Sequence, residues 1–315
     1  MTLTDTWKDA YPVVKMSTLK LLTDKGGNSV YANCVDGHYF PPFTLDVEYA
    51  THLENIQKMH IRDDDVTVVG YAKSGTHWVW EVAGMLLAGS TNYIRDIKES
   101  QFLEVKEVAA LDALTSPRLL NTHMGFRFLP SEIVTKRTKV IYLLRNPKDV
   151  AVSLYHHVTG MNPGEKFVYN GTWDDFLDAY LQGNVWFGSW FDSVLAWEKT
   201  VTALTELPVL TVHYEAMKAD PLSNVQRLSE FLGVQRDSEF CQEVVEACSF
   251  KKLKQAKDNV KGNNLRNAWK PGTEGFYRKG EVGDWKNWFT VAQNERFNAL
   301  YAEKMKNSKL TILFK

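Results

Sequence analysis

The sequence predicts an α/β fold, a single domain over residues 1–315 in which a central parallel sheet carries helices on both faces. Residues 1–62 are expected to form an irregular lead-in that packs on this core. Two observations predict the sheet. Short β-branched runs (VTVV at 66–69, VIYLL at 140–144, PVLTVHY at 208–214) alternate with helical stretches, the pattern of strands joined by crossover helices. Glycine and serine also crowd the turn straight after VTVV, and ligands of such a sheet collect at the carboxyl ends of its strands.

Taken in order, the lead-in holds scattered aromatics and a Pro41-Pro42 break, with no regular periodicity to read. The strand VTVV then runs into GYAKSGTHW (70–78) and the apolar helical stretch VWEVAGMLLAG. Glycine and serine in the turn, together with the backbone N–H groups that open the next helix, make a cradle for an anion, and Lys73 adds a positive charge. A phosphate or sulfate group is the expected ligand. A Walker A loop reads G-x-x-x-x-G-K-[ST], whereas here glycine follows the lysine in Lys73-Ser74-Gly75-Thr76 and the first glycine sits closer. The turn is therefore P-loop-like, without the order of a metal-dependent kinase.

RLLN (118–121) supplies another short strand, which puts His123 just beyond its end. VIYLLRNPKDVAVSLYHH (140–157) reads as a buried strand ending in Arg145, with Asn146 capping a helix whose first residue is Pro147. Where metal-dependent nucleotide enzymes often end such a strand in a Mg²⁺-holding aspartate, this one has an arginine, whose guanidinium grips phosphate oxygens directly. Ser153, about two turns further on, faces the same group. After PVLTVHY the chain reads as helical through Phe250 and then turns basic, with Lys251, Lys252, Lys254, Lys257 and Lys261 ahead of GNN (262–264) and PGTEG (271–275). That stretch is either solvated surface or a flap over an anion. FYRKGEVGDWKNWFT (276–290) sets Arg278 and Lys279 beside Gly280, so the ligand is expected to carry two separate phosphate-like ends.

Bulk properties narrow the class. A net charge of −1 and 24% charged residues argue against wholesale binding to nucleic acid or an acidic membrane. No apolar run approaches the roughly 18–20 residues of a membrane span, and the start lacks a signal-type apolar core, so a cytoplasmic protein is expected. Three cysteines, Cys34, Cys241 and Cys248, form no C-x-x-C pair and fit a reducing compartment. His77, His156 and His157 offer no metal-ligand pattern, and no metal is expected.

From about Val66 to Met305 the segments resemble the cytosolic sulfotransferase family, in the family's order and spacing. YAKSGTHW resembles its 5′-phosphosulfate loop, RNPKDVAVS its 3′-phosphate motif and RKGEVGDWKNWFT its C-terminal donor-binding signature. The resemblance implies 3′-phosphoadenylyl sulfate (PAPS) as donor and 3′-phosphoadenosine 5′-phosphate (PAP) as product. It places Lys73, Ser74, Gly75, Thr76, His77 and Trp78 around the 5′ end and adenine, and Arg145, Ser153, Arg278, Lys279 and Gly280 around the 3′-phosphate. Tyr214, Cys248 and Phe250 fall at the adenine pocket. His123 is implied as the general base, with Lys73 at the bridging oxygen. Lys286, Thr290, Val291 and Glu295 fit the family's homodimer motif K-x-x-x-T-V-x-x-x-E.

Three positions depart from the family. Asn121 replaces a lysine near the acceptor oxygen, His77 replaces the loop's second threonine, and Ala72 replaces a proline. Asn121 and Phe126 are expected on the acceptor side. Aromatics in 124–128 and in VWFGSWF (185–191) imply a small apolar acceptor, a phenol, steroid, alcohol or amine. Two rivals stand beside this reading: a catalytically weak PAPS- or PAP-binding protein of the same fold, and a P-loop kinase.

Overall fold

A computed structural model describes residues 14, 16–162, 166–258 and 269–314; Lys261 and the GNN segment lie outside them. Strands β4 (Val66–Gly70), β5 (Leu119–Thr122), β6 (Lys139–Leu144) and β7 (Val209–His213) form a parallel sheet in the order β5-β4-β6-β7. Its strands alternate between two cores. Val140, Tyr142 and Leu144 of β6 join one buried cluster, Ile141 and Leu143 the other. Period-two placement with both faces apolar is what a sheet covered on both sides requires. Helix Thr76–Ala88 packs on one face, and helices Pro147–Thr159, Trp173–Leu181 and Trp190–Ala203 fill the other.

The lead-in is not irregular. Residues 17–40 form an antiparallel meander of β1 (Ser17–Thr23), β2 (Ser29–Val35) and β3 (His38–Phe40), and helix Tyr49–Gln57 follows. The signal overlooked was Asp36-Gly37. Both residues have positive φ, 49° and 82°, as a two-residue hairpin turn demands, and Val35 pairs with His38 across it. Strand β1 gave no pattern because most of its residues are exposed. Leu22, Val30, Ala32 and Phe40 nevertheless share a buried cluster with β4 and β6, so both sheets belong to one α/β domain.

The basic stretch after residue 250 is corrected in one respect. It forms helix Phe250–Asp258, and Lys257 is buried rather than solvated. Its ammonium stands 2.7 Å from Glu81 and donates to the Ile94 carbonyl at 2.8 Å. Lys254 pairs with Glu274 near the surface.

One buried ion pair ties the starts of β4 and β5. Arg118 donates from Nε to Asp65 Oδ1 at 2.9 Å and from Nη2 to the His60 carbonyl at 2.7 Å, with both acid and base side chains fully buried. Removing one member of such a pair strands a charge. Asp65→Ala is therefore expected to lower the unfolding free energy by about 3–5 kcal/mol in urea titrations; a loss of about 1 kcal/mol or less, the scale of an exposed pair, would show that the His60 carbonyl and Asp112, whose Oδ1 accepts from Arg118 Nη1 at 2.8 Å, suffice.

Candidate active site

The carboxyl ends of β4, β5 and β6 open into a cavity of about 900 Å³. At the end of β4 the chain turns sharply: Lys73 has φ 69° and Gly75 φ 101°. A Cβ on Gly75 would lie 2.7 Å from the Tyr214 ring, so this position needs glycine for both conformation and space. Thr76 opens helix Thr76–Ala88, aiming its free N–H groups at the turn. Ser74 is buried, and its Oγ has no hydrogen-bond partner.

Lys73 is also buried, and burial together with the neighbouring Arg145 brings its ammonium down to about 7. Its Nζ stands 3.4 Å from His157 Nδ1, and it faces the Phe276 ring at 5.6 Å. The charge is thus held in an apolar wall and strengthened by any anion that enters.

Arg145 follows the end of β6. One arm donates to the Lys73 carbonyl at 2.9 Å and the guanidinium lies 4.2 Å over the Tyr214 ring, while its Nε is buried with no partner. As expected, Asn146 caps the next helix, accepting from the Lys148 N–H at 2.9 Å, and Pro147 is the first helical residue. The same helix does further work that the sequence alone did not disclose. Asp149 accepts from the Gly283 and Trp285 N–H groups at 2.7 and 2.9 Å, clamping the C-terminal segment across the cleft.

That segment brings Arg278, Lys279 and Gly280 to the cavity wall, where Ser153 also stands. Arg278 and Lys279 are paired with the two oxygens of Asp284, each at 2.6 Å. Burial opposes ionisation of Asp284, but its hydrogen bonds with Lys279, Asn287 and Arg278 prevail and hold the carboxyl down to about 2. A Cβ on Gly280 would strike the Phe250 ring at 2.2 Å. Trp78, Tyr214, Cys248 and Phe250 line the neighbouring slot, with Trp78 and Tyr214 edge to face at 5.6 Å.

At the other end, His123 lies just past β5 between Phe102 and Phe187, each ring centroid 5.3 Å away. Its Nδ1 is 2.7 Å from the Gly70 carbonyl. A carbonyl can only accept, so Nδ1 carries the proton and Nε2 is left as a lone-pair base. Burial, and then the charge of Lys98, push the imidazole well below its usual pKa, so it is neutral at pH 7. Apolar residues of the lead-in and of 161–187, among them Pro41, Phe43, Met161, Phe167 and Phe187, complete this end.

The two acceptor-side expectations fall elsewhere. Phe126 is buried against Trp197, centroids 5.5 Å apart, and does not line the cavity. Asn121 is fully buried behind the wall, where it bonds to Lys98. His77 sits against the Phe276 ring at 4.5 Å and 2.9 Å from Glu99, and burial lowers it to about 4 despite that carboxylate. Sequence reading passed over Lys98 and Glu99 because an acidic and basic turn after a loop looks like surface. Among the described residues no group of three or more His, Cys, Asp or Glu side chains is placed to hold a metal ion, and no helix is long and apolar enough to cross a membrane.

Comparison with known proteins gives one answer. Residues 63–309 match the sulfotransferase domain model. Sulfotransferase 1B1 of dog is 35% identical over 283 residues, covering 83% of this chain and 90% of that protein. Human sulfotransferase 1C2 is 30% identical over 306 residues, covering 92% and 97%. Among solved structures, mouse sulfotransferase SULT7A1 complexed with PAP aligns with a TM-score of 0.71 at 31% identity, over 88% of this chain and 95% of that one. With its phosphate-type turn, strand-end arginine and C-terminal basic turn joined in one cleft, the chain belongs to the cytosolic sulfotransferase family.

Proposed function

We propose that the protein transfers a sulfuryl group from PAPS to the hydroxyl or amine of a small apolar acceptor, with His123 as general base. The observation that carries this reading is the tautomer of His123. Its bond to Gly70 leaves Nε2 free in the cavity that also holds Lys73 and Arg145. Donor-binding features support it too. The partnerless Arg145 Nε and Ser74 Oγ are buried polar atoms that suit phosphate or sulfate oxygens, and Gly75 and Gly280 let the Tyr214 and Phe250 rings of the neighbouring slot approach the backbone where any Cβ would collide with them.

The donor supplies an activated sulfur: its bond to the bridging oxygen breaks as the acceptor oxygen bonds to sulfur, and the electron pair leaves with PAP. The chain's residues manage charge and protons around that exchange. His123 Nε2 takes the acceptor proton. Lys73 faces the negative charge left on the departing phosphate. Arg145, Ser153, Arg278 and Lys279 hold the 3′-phosphate, for which Arg278 and Lys279 turn part of their hydrogen bonding away from Asp284. The slot of Trp78, Tyr214, Cys248 and Phe250 takes the adenine. The aromatic end selects an apolar acceptor by area burial. We also infer a homodimer through Lys286, Thr290, Val291 and Glu295. Thr290 caps helix Val291–Met305, which leaves Val291 76% exposed at its start, an apolar side chain suited to meeting its own copy.

Three outcomes are expected. His123→Ala lowers transfer to a phenol or sterol panel by about 10²–10⁴-fold while PAP affinity in calorimetry stays within twofold or so; full activity would remove His123 as base. PAP binding weakens as pH rises above 7, with proton uptake measurable in buffers of different ionisation heat. The sign follows from Lys73, which is charged below about 7 and neutral above it in the free protein, whereas the bound anion favours the charged form. A Kd independent of pH from 6.5 to 9 would contradict this. Light scattering is expected to show a dimer for the wild type and a monomer for Val291→Glu, and a monomeric wild type would remove the inferred interface.

A further inference from the structure

The neutral residue at 121 is accompanied by a charge from another element. Lys98, first residue of the short 3₁₀ turn Lys98–Gln101, is 3% exposed and lines the cavity. Its ammonium donates to Asn121 Oδ1 at 2.7 Å, and Asn121 Nδ2 returns a bond to the Lys98 carbonyl at 2.8 Å. The same ammonium lies 4.2 Å over the ring of Phe102, which meets His123 edge-on. An amide at 121 offers the acceptor oxygen that a lysine there would not, so the pair is reciprocal: the residue that removes one cation anchors another.

We propose that Lys98 is the acceptor-side cation of the transfer site, brought in from the 98–101 turn and tethered by Asn121, where it contacts the sulfuryl oxygens during transfer. This rests on the sulfuryl-transfer reading above. An ammonium has three N–H bonds. Asn121 takes one, and Glu99 Oε1, at 3.9 Å, is beyond hydrogen-bond distance, so two remain for ligand oxygens. A tether alone does not call for a charge. The turn is already joined to β5 by the Leu103 N–H to the Asn121 carbonyl at 3.0 Å and by the Leu119 N–H to Gln101 Oε1 at 3.1 Å. Burying an ammonium is costly: burial lowers the Lys98 pKa overall, and the charges of Glu99 and then Glu104 oppose that shift. When it carries its proton, a group so enclosed acts on charge developing nearby with little screening by water. It also acts on the base, since its field is the second cause, after burial, of the neutral state of His123.

The test compares affinity for PAPS, which carries the sulfuryl group, with affinity for PAP, which lacks it. Lys98→Met is expected to weaken PAPS by about tenfold, the loss of a charge-assisted bond, and to leave PAP unchanged. Its turnover falls with little change in acceptor KM. The exchanged variant Lys98→Met with Asn121→Lys is expected to recover most of the PAPS affinity and turnover, which a merely structural lysine does not predict. Lys98→Gln keeps a donor for Asn121 without the charge, and should behave as Lys98→Met if the latter folds poorly. An unchanged PAPS-to-PAP ratio in Lys98→Gln, or an exchanged variant as impaired as the single one, overturns the proposal while leaving the sulfuryl-transfer reading intact. Wild-type protein that binds neither nucleotide overturns both.

Discussion

The 2.7 Å hydrogen bond from His123 Nδ1 to the Gly70 carbonyl is the constraint on which the site depends. It joins the end of β5 to the end of β4, so His123 and the turn at 70–76 are fixed relative to each other by neighbouring strands rather than by loops. It also fixes the tautomer, because only a protonated Nδ1 can satisfy the carbonyl. The next strand extends the same logic. Arg145, beyond β6, donates to the Lys73 carbonyl, so the strand-end arginine braces the neighbouring turn. Three adjacent strand ends thereby hold His123, the turn at 70–76 and Arg145 on one rigid edge.

Electrostatic balance explains why so many charges coexist in an apolar cleft. Arg145, Lys98 and Arg278 each oppose the charge of Lys73, and carboxylates stand beside several of the cleft's cations. Asp284 holds Arg278 and Lys279; Glu99 stands near Lys98 and His77. Burial works against Glu99 as an anion, but His77 and Lys98 outweigh it and keep the carboxyl down to about 2. The cleft is therefore a set of local pairs rather than a uniform positive field, consistent with a chain whose net charge is only −1.

Much of this was legible in the sequence where local chemistry and topology coincide. The parallel strands, the turn at 70–76, the Asn146 cap and the position of His123 all follow from patterns spanning a few residues. What stayed hidden depends on contacts between distant segments. The N-terminal meander escaped because β1 is exposed along most of its length and so lacks alternation, although Asp36-Gly37 marked its hairpin. Asn121 looked like a missing charge because its partner is 23 residues away in a turn with no motif. Asp149 carries no motif of its own, yet it binds backbone 134 and 136 residues further along. Phe126 looked like pocket because it is aromatic and close to His123 in sequence, while packing against Trp197 turned it into the core.

The three cysteines give the molecule a further property. Cys34, Cys241 and Cys248 are all free and at most 6% exposed, and burial raises the Cys248 thiol well above its ordinary range as it packs against Met85. Thiolate is the form that oxidants and alkylating reagents attack. With Cys248 set in the wall of the cleft and no thiol at the surface, the folded protein shields all three thiols from oxidants. Labelling by a thiol-reactive dye accordingly reports opening of the fold at whichever of the three buried thiols is exposed, Cys248 being the one in the cleft wall.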